Sequence, residues 1–166
     1  MTYVSSGWPV HKPIPGGAPA RAHSVKLALK LRTDVLAGVP LFAGLSKRQL
    51  QDVARGCLSR RWPSECRVVP EDTKSQVCYI IVEGTADVSR HGRTIAQLGP
   101  GEFFGEVALF DPGPRSATVT TTSEMTSVEL SRQSFLGVAG DNPAILLRML
   151  EALARRLRET TDKLTY

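Results

Sequence analysis

The chain has 166 residues, 42% hydrophobic and 22% charged, with a net charge of +5 and three cysteines. That length is one domain of ordinary size, able to bury roughly 70% of the surface its unfolded chain exposes, so a core needs neither disulfides nor a structural metal. The composition excludes a disordered or collagen-like chain. No run of about 18 apolar residues is present to span a membrane, and the N-terminus lacks the apolar centre of a secretory signal.

Residues 1–40 carry five basic side chains against Asp34 alone, so the positive excess sits in an N-terminal arm. A basic arm can touch nucleic acid or acidic partners; a solvated tail is the plainer expectation. Cys57, Cys66 and Cys78 are odd in number and form no Cys-x-x-Cys. That pattern fits a reduced, cytoplasmic protein better than a disulfide framework or a zinc site. His11, His23 and His91 are scattered, so no metal is expected.

Residues 1–23 are rich in Pro, Gly and Ala and have no period; they read as a flexible tail before a domain covering 24–166. Ser24 is expected to cap a helix running to about Leu36, and Ser46 a second helix to about Cys57. From 58 to 131 the period shortens. Arg67–Val69, Val77–Val82, Thr85–Val88, Thr94–Ala96, Ser116–Thr122 and Thr126–Leu130 are β-prone runs separated by turn signals such as Glu83-Gly84 and His91-Gly92. Short strands at this spacing predict a closed or rolled antiparallel sheet. The fold class is therefore mainly β with flanking helices. Helix returns over 132–166. Asn142-Pro143 is expected to open a long one, in which Leu146, Leu150, Leu153, Leu157, Thr160 and Leu164 alternate at spacings of 4 and 3. Such a seam either packs on the chain's own sheet or pairs with a second copy.

The chemistry lies in Gly99 to Val119. Gly99, Gly101 and Gly105 do not make a dinucleotide loop, since no βαβ unit surrounds them, and no Gly-Lys-Ser/Thr follows. A helical turn opening at Gly105 places backbone N–H groups toward an anion, and glycine lets that anion approach closely. Arg115, nine positions after Glu106, can give phosphate oxygens a forked, charge-assisted contact. Glu106 repels phosphate but can accept from a hydroxyl of the same ligand. The expected ligand thus combines a phosphate with a sugar hydroxyl.

These residues resemble the phosphate-binding cassette of cyclic nucleotide-binding domains. The matching strings are Phe104-Gly-Glu-Val-Ala-Leu-Phe110 and Pro114-Arg-Ser-Ala-Thr-Val119. Leu41-Phe-Ala-Gly-Leu-Ser46 is similar to the family's leading helix-turn, and Tyr79-Ile-Ile-Val-Glu-Gly84 to its second hairpin. Asn142-Pro143, Ala154-Arg-Arg-Leu157 and Thr160 to Leu164 resemble the bacterial catabolite-activator branch of the family. The resemblance implies an antiparallel, jelly-roll-like β-roll with N-terminal helices, a cassette over 101–119 and a long C-terminal helix. It implies that Arg115 pairs with the cyclic phosphate, that Gly105 and Ala117 offer backbone contacts, and that Ala108 sits over the phosphate. Glu106 then accepts the ribose 2′-OH, and Ser116 meets phosphate or base. Phe104 and Val107 complete the set within the cassette, Phe104 being read mainly as core. Thr160, with Thr161 from a partner subunit, is expected at the adenine edge. The Thr160 hydroxyl favours cAMP; cGMP is the alternative, because a hydroxyl at Ser116 can meet guanine.

Two departures stand out. The family's Gly-Asp-x-Gly-Asp turn is replaced by Glu71-Asp-Thr-Lys-Ser-Gln-Val77, without glycine. No helix-turn-helix segment follows the long helix before Tyr166, so reading DNA by that means would need a further domain. The expected function is a non-enzymatic sensor module that passes its ligand state to an effector protein through the C-terminal helix. The alternatives are a DNA-binding regulator without its reading head, and a folded relic that binds nothing. No nucleophile–base pair or metal-ligand set speaks for an enzyme.

Overall fold

The structure, a computed structural model, describes residues 21–164, and of Arg156, Thr160, Lys163 and Leu164 the backbone alone. Most of the predicted tail, 1–20, therefore lies outside the described residues, as do the side chains of Thr160 and Leu164.

Among the described residues nine strands follow in chain order: β1 (His23–Ser24), β2 (Leu58–Trp62), β3 (Arg67–Val69), β4 (Val77–Glu83), β5 (Ala86–Arg90), β6 (Arg93–Leu98), β7 (Phe103–Phe104), β8 (Thr118–Thr121) and β9 (Met125–Ser131). They form a five-stranded sheet, β1-β2-β9-β4-β7, and a four-stranded sheet, β3-β8-β5-β6. Every strand pair is antiparallel. The β-roll is thus present as two separate sheets rather than a closed barrel. Four helices flank it: α1 (Leu29–Ala37), α2 (Lys47–Arg55), α3 (Arg132–Asp141) and α4 (Pro143–Leu164).

β4 reads as an unbroken apolar run because it lies inside its sheet with both faces covered. Cys78 and Ile80 point into a cluster with the helices, beside Leu36, Phe42, Val53 and Phe135. Tyr79 and Ile81 point the other way, into a cluster with Trp62, Val69, Phe104 and Val119 between the sheets. Trp62 and Tyr79 are buried core residues, and the Trp62 indole N–H is satisfied by Ser127 Oγ at 2.9 Å. Between β4 and β5, Gly84 has φ +90°, and a Cβ there would lie 2.7 Å from Met125 Cα. β4 and β5 belong to different sheets, so the expected hairpin at this place is instead a tight crossing from one sheet to the other, and it closes only on glycine.

The predicted Ser46 cap is present as a full capping box: Gln49 N–H donates to Ser46 Oγ at 3.2 Å, and Ser46 N–H donates to Gln49 Oε1 at 2.9 Å. Asn142-Pro143 likewise marks the start of α4, where Ile145 N–H donates to the Asn142 carbonyl.

The expected helix from Ser24 starts later. His23 and Ser24 instead pair with Arg61 and Arg60 of β2, and Val25 N–H donates to the Ser59 carbonyl. Val25, Leu27 and Leu29 are half-buried while Lys26, Ala28 and Lys30 are exposed. That is the alternation of an extended chain, so tertiary pairing wins over the cap signal until Leu29. β2 is a strand the periodicity does not announce. Its Leu58 is exposed and its Ser59 buried; Arg60 is accommodated by an ion pair to Glu129 at 3.0 Å and by the Trp62 ring.

The seam of α4 is also displaced. Ile145, Met149 and Ala152 are the residues buried against the domain. Leu146 and Leu153 are half-buried, whereas Leu150 and Leu157 are 47% and 68% exposed. Only the edge of the predicted stripe touches the chain's own core.

Candidate functional site

A cleft of about 370 Å³ opens beside the four-stranded sheet, within the roughly 300–1,000 Å³ typical of small-molecule sites. One wall is apolar, made by Val69, Val88 and Val119 from β3, β5 and β8. The other is the segment between β7 and β8. It supplies every predicted cassette residue: Phe104, Gly105, Glu106, Val107, Ala108, Arg115, Ser116 and Ala117. Sequence reasoning missed Val69 and Val88 as lining residues. Their signal was alternation along a strand, which also fits plain core.

Glu106–Leu109 forms one 3-10 turn, as the Val-Ala-Leu run suggested. It opens at Gly105, which takes φ +79° and ψ +17°. Ala108 N–H donates to the Gly105 carbonyl at 3.1 Å. Ala108 and Leu109 are buried and fix the turn to the core, while Val107 is 55% exposed at the rim. Phe104 anchors the turn from the other end, stacked on Tyr79 with ring centroids 4.9 Å apart.

Arg115 does not enter a strand, because β8 begins only at Thr118. Its backbone is pinned instead by the glycine-free turn that precedes β4. Asp72 N–H donates to the Arg115 carbonyl at 2.8 Å, and Arg115 N–H donates to the Thr73 carbonyl at 2.9 Å. Asp72 supplies the left-handed conformation, φ +61°, that a glycine would adopt without cost. The turn thus survives its missing glycines. The Arg115 guanidinium lies over the Gly105 backbone: a Cβ on Gly105 would be 2.7 Å from Cζ. Nη2 donates to Ser75 Oγ and to the Val77 carbonyl, whereas the buried Nε has no hydrogen-bond partner.

Glu106 and Arg115 line the same cleft, and both act on Cys78 beneath it. Burial pushes the Cys78 thiol well up, Glu106 and Cys57 push it further, and Arg115 opposes them. The cleft is therefore lined by a carboxylate, a guanidinium and an apolar wall.

Thr161 is not among the residues lining this cleft. It is exposed on α4 and its hydroxyl donates to the Leu157 carbonyl at 2.9 Å. A larger hollow of about 640 Å³ lies between α2 and the α3–α4 junction, holding Arg48, Asp52, Arg55 and Asp141. Its charges are mixed, Arg55 and Asp52 pair with each other at 2.8 Å, and it contains none of the predicted ligand residues. Among the described residues no group of three or more His, Cys, Asp or Glu side chains gathers to hold a metal, and no helix is long and apolar enough to cross a membrane.

The profile of the cyclic nucleotide-binding domain matches residues 59–142, which take in both sheets' central strands and the whole cleft segment. The chain belongs to this family. The chain is 31% identical over 136 residues to the CRP-like cAMP-activated global transcriptional regulator of Mycobacterium tuberculosis, covering 79% of this chain and 61% of that one. It is 34% identical over 128 residues to the cyclic AMP receptor protein of Thermus thermophilus, covering 74% and 59%. The chain thus spans about three-fifths of the length of these relatives. Among solved structures, the N-terminal domain of a transcriptional regulator from Streptomyces coelicolor superposes with a TM-score of 0.74 at 30% identity, covering 79% of this chain and 95% of that chain. A PKAR CBD2 structure with bound Sp-2Cl-cAMPS superposes with a TM-score of 0.60 at 26% identity, covering 80% and 91%.

Proposed function

We propose that this domain is a cAMP-responsive sensor module, a binding protein rather than an enzyme, that works in the cytoplasm. The observation carrying this reading is Arg115 lying over Gly105 beside Glu106 in one cleft. In this reading Arg115 pairs with the cyclic phosphate, the cassette backbone at Gly105 and Ala117 borders it, and Glu106 accepts the ribose 2′-OH. Val69, Val88 and Val119 pack the flat part of the nucleotide. The names of the relatives, cAMP-activated and cyclic AMP receptor, favour cAMP over cGMP. Thr160 and Thr161 add the adenine edge once α4 meets a second copy. Leu150 and Leu157, exposed on α4, favour such a pairing. Ligand then biases the packing of α4 on the domain, and an effector protein reads that bias.

A second reading is favoured by the transcriptional-regulator relatives and by the three-fifths of their length that this chain spans: the domain is the sensing unit of a DNA-binding regulator. Nucleic acid binding would then need a further domain.

Calorimetric titration with cAMP and, separately, cGMP tests the sensor reading. Saturable binding of cAMP at micromolar concentration or tighter, lost in Arg115→Ala, is the expected result. No heat with either nucleotide, for folded and ligand-free protein, would overturn it.

A further inference from the structure

Arginine is a long side chain, and a site built on it has to hold the guanidinium in one orientation; each rotamer-rich side chain left free must be ordered when ligand arrives. In this domain the holding is done by the six residues from Asp72 to Val77. Their backbone pins the Arg115 main chain at both its N–H and its carbonyl, through Thr73 and Asp72. Lys74 and Pro114 form a bridge alongside. The same segment then takes hold of the side chain: Ser75 Oγ and the Val77 carbonyl both accept from Nη2. Ser75 is 1% exposed, so its hydroxyl is committed to the interior and not to water. Two acceptors on one nitrogen fix the plane of the guanidinium. They leave Nε without a partner and Nη1 lying over Gly105, a residue that lines the cleft.

We infer that the Asp72–Val77 turn is a clamp for Arg115 and that Ser75 is its positioning residue, aiming the guanidinium at the anionic group of the ligand. Ser75 does not touch the ligand; it acts through Arg115. This inference rests on the sensor reading for its ligand, but the clamp itself can be tested without one.

The test uses Ser75→Ala, with Ser75→Gly as a second variant that removes the same hydroxyl should the first fold poorly. Arginine side-chain NMR of the ligand-free chain reports whether the Arg115 Nη protons rotate freely. Restricted, resolved Nη signals are expected in the wild type and averaged ones in either variant. Calorimetry with cAMP then reads the consequence: an affinity about five- to tenfold weaker than wild type, less than the roughly ten- to hundredfold of a hydrogen bond to a charged group lost outright, because the Val77 carbonyl still accepts from Nη2. Averaged Nη signals already in the wild type, or restricted ones persisting in both variants, would overturn the clamp. Freed Nη signals with unchanged cAMP affinity would overturn its role in aiming Arg115. Restricted wild-type signals, freed in the variants, in a protein that binds neither cAMP nor cGMP would uphold the clamp and sink the sensor reading instead.

Discussion

Gly105→Ala separates binding from folding more sharply than any other change in this domain. Gly105 has φ +79°, a left-handed conformation that costs a residue with a Cβ roughly 1–2 kcal/mol. The new methyl would also run into the Arg115 guanidinium, at 2.7 Å from both Cζ and Nη2. The obstructing atoms are the tip of a flexible side chain, so the collision is relieved by moving the guanidinium and not by breaking the core. The stability loss should therefore stay near the conformational penalty, a fall of about 2–8 °C in Tm for a chain of this size. The binding loss should be larger. A displaced guanidinium gives up its hydrogen bond to the anionic group, about 1.5–3 kcal/mol, or roughly ten- to hundredfold in Kd. Thermal unfolding and calorimetric titration with cAMP on the same preparation supply both numbers. Affinity within twofold of wild type would refute the reasoning, because it would mean that the contact between Gly105 and Arg115 has no part in binding.

Three further outcomes follow from the site and the core. Glu106→Gln should weaken cAMP binding while leaving affinity for the 2′-deoxy analogue nearly unchanged; equal losses for both ligands, measured by competition, would remove Glu106 from the ribose. Burial pushes the Cys57 thiol up to about 12 and Cys66 up to about 11, and raises Cys78 as well, so thiolate is scarce at pH 8. A chromogenic disulfide should label the native thiols far more slowly than the urea-unfolded ones; fast labelling of the native protein would contradict the burial of all three. Burial also raises the Glu129 carboxyl, against the opposing pull of Arg60. The folded state then binds the proton more tightly than the unfolded one. Stability is fully present below the ordinary carboxylate range and declines as pH rises from there through the raised value. Tm followed over that interval should fall more in the wild type than in Glu129→Gln; parallel curves would refute the assignment.

The cassette was legible in sequence because its demands are local. A glycine for a left-handed turn, a carboxylate beside it and an arginine nine positions on are fixed by chain geometry, and all eight cassette positions line the cleft. Ser46 and Asn142-Pro143 were legible for the same reason, since a cap depends on three or four neighbours. The run Val77–Val82 announced itself by apolar content, and Thr126–Leu130 by the alternation that sets Val128 and Leu130 on one face.

What escaped the sequence depends on partners far along the chain. Ser24 had the chemistry of a helix cap, but β2 offered its backbone a ladder, and His23–Ser24 became strand. Ser75 looked like an ordinary turn residue; only the fold brings it against Arg115, forty positions away. The leucine stripe of α4 had the right period, yet the Pro40–Phe42 turn and α3 pack on the neighbouring face, Ile145, Met149 and Ala152. Local backbone and capping preferences are written in a few adjacent residues, so the sequence by itself determined the turn at Gly105, most strands and the helix starts at Ser46 and Asn142-Pro143. Which face of a helix is buried, and which hydroxyl meets an arginine, are decided by long-range packing, and for these only the tertiary structure carried the answer.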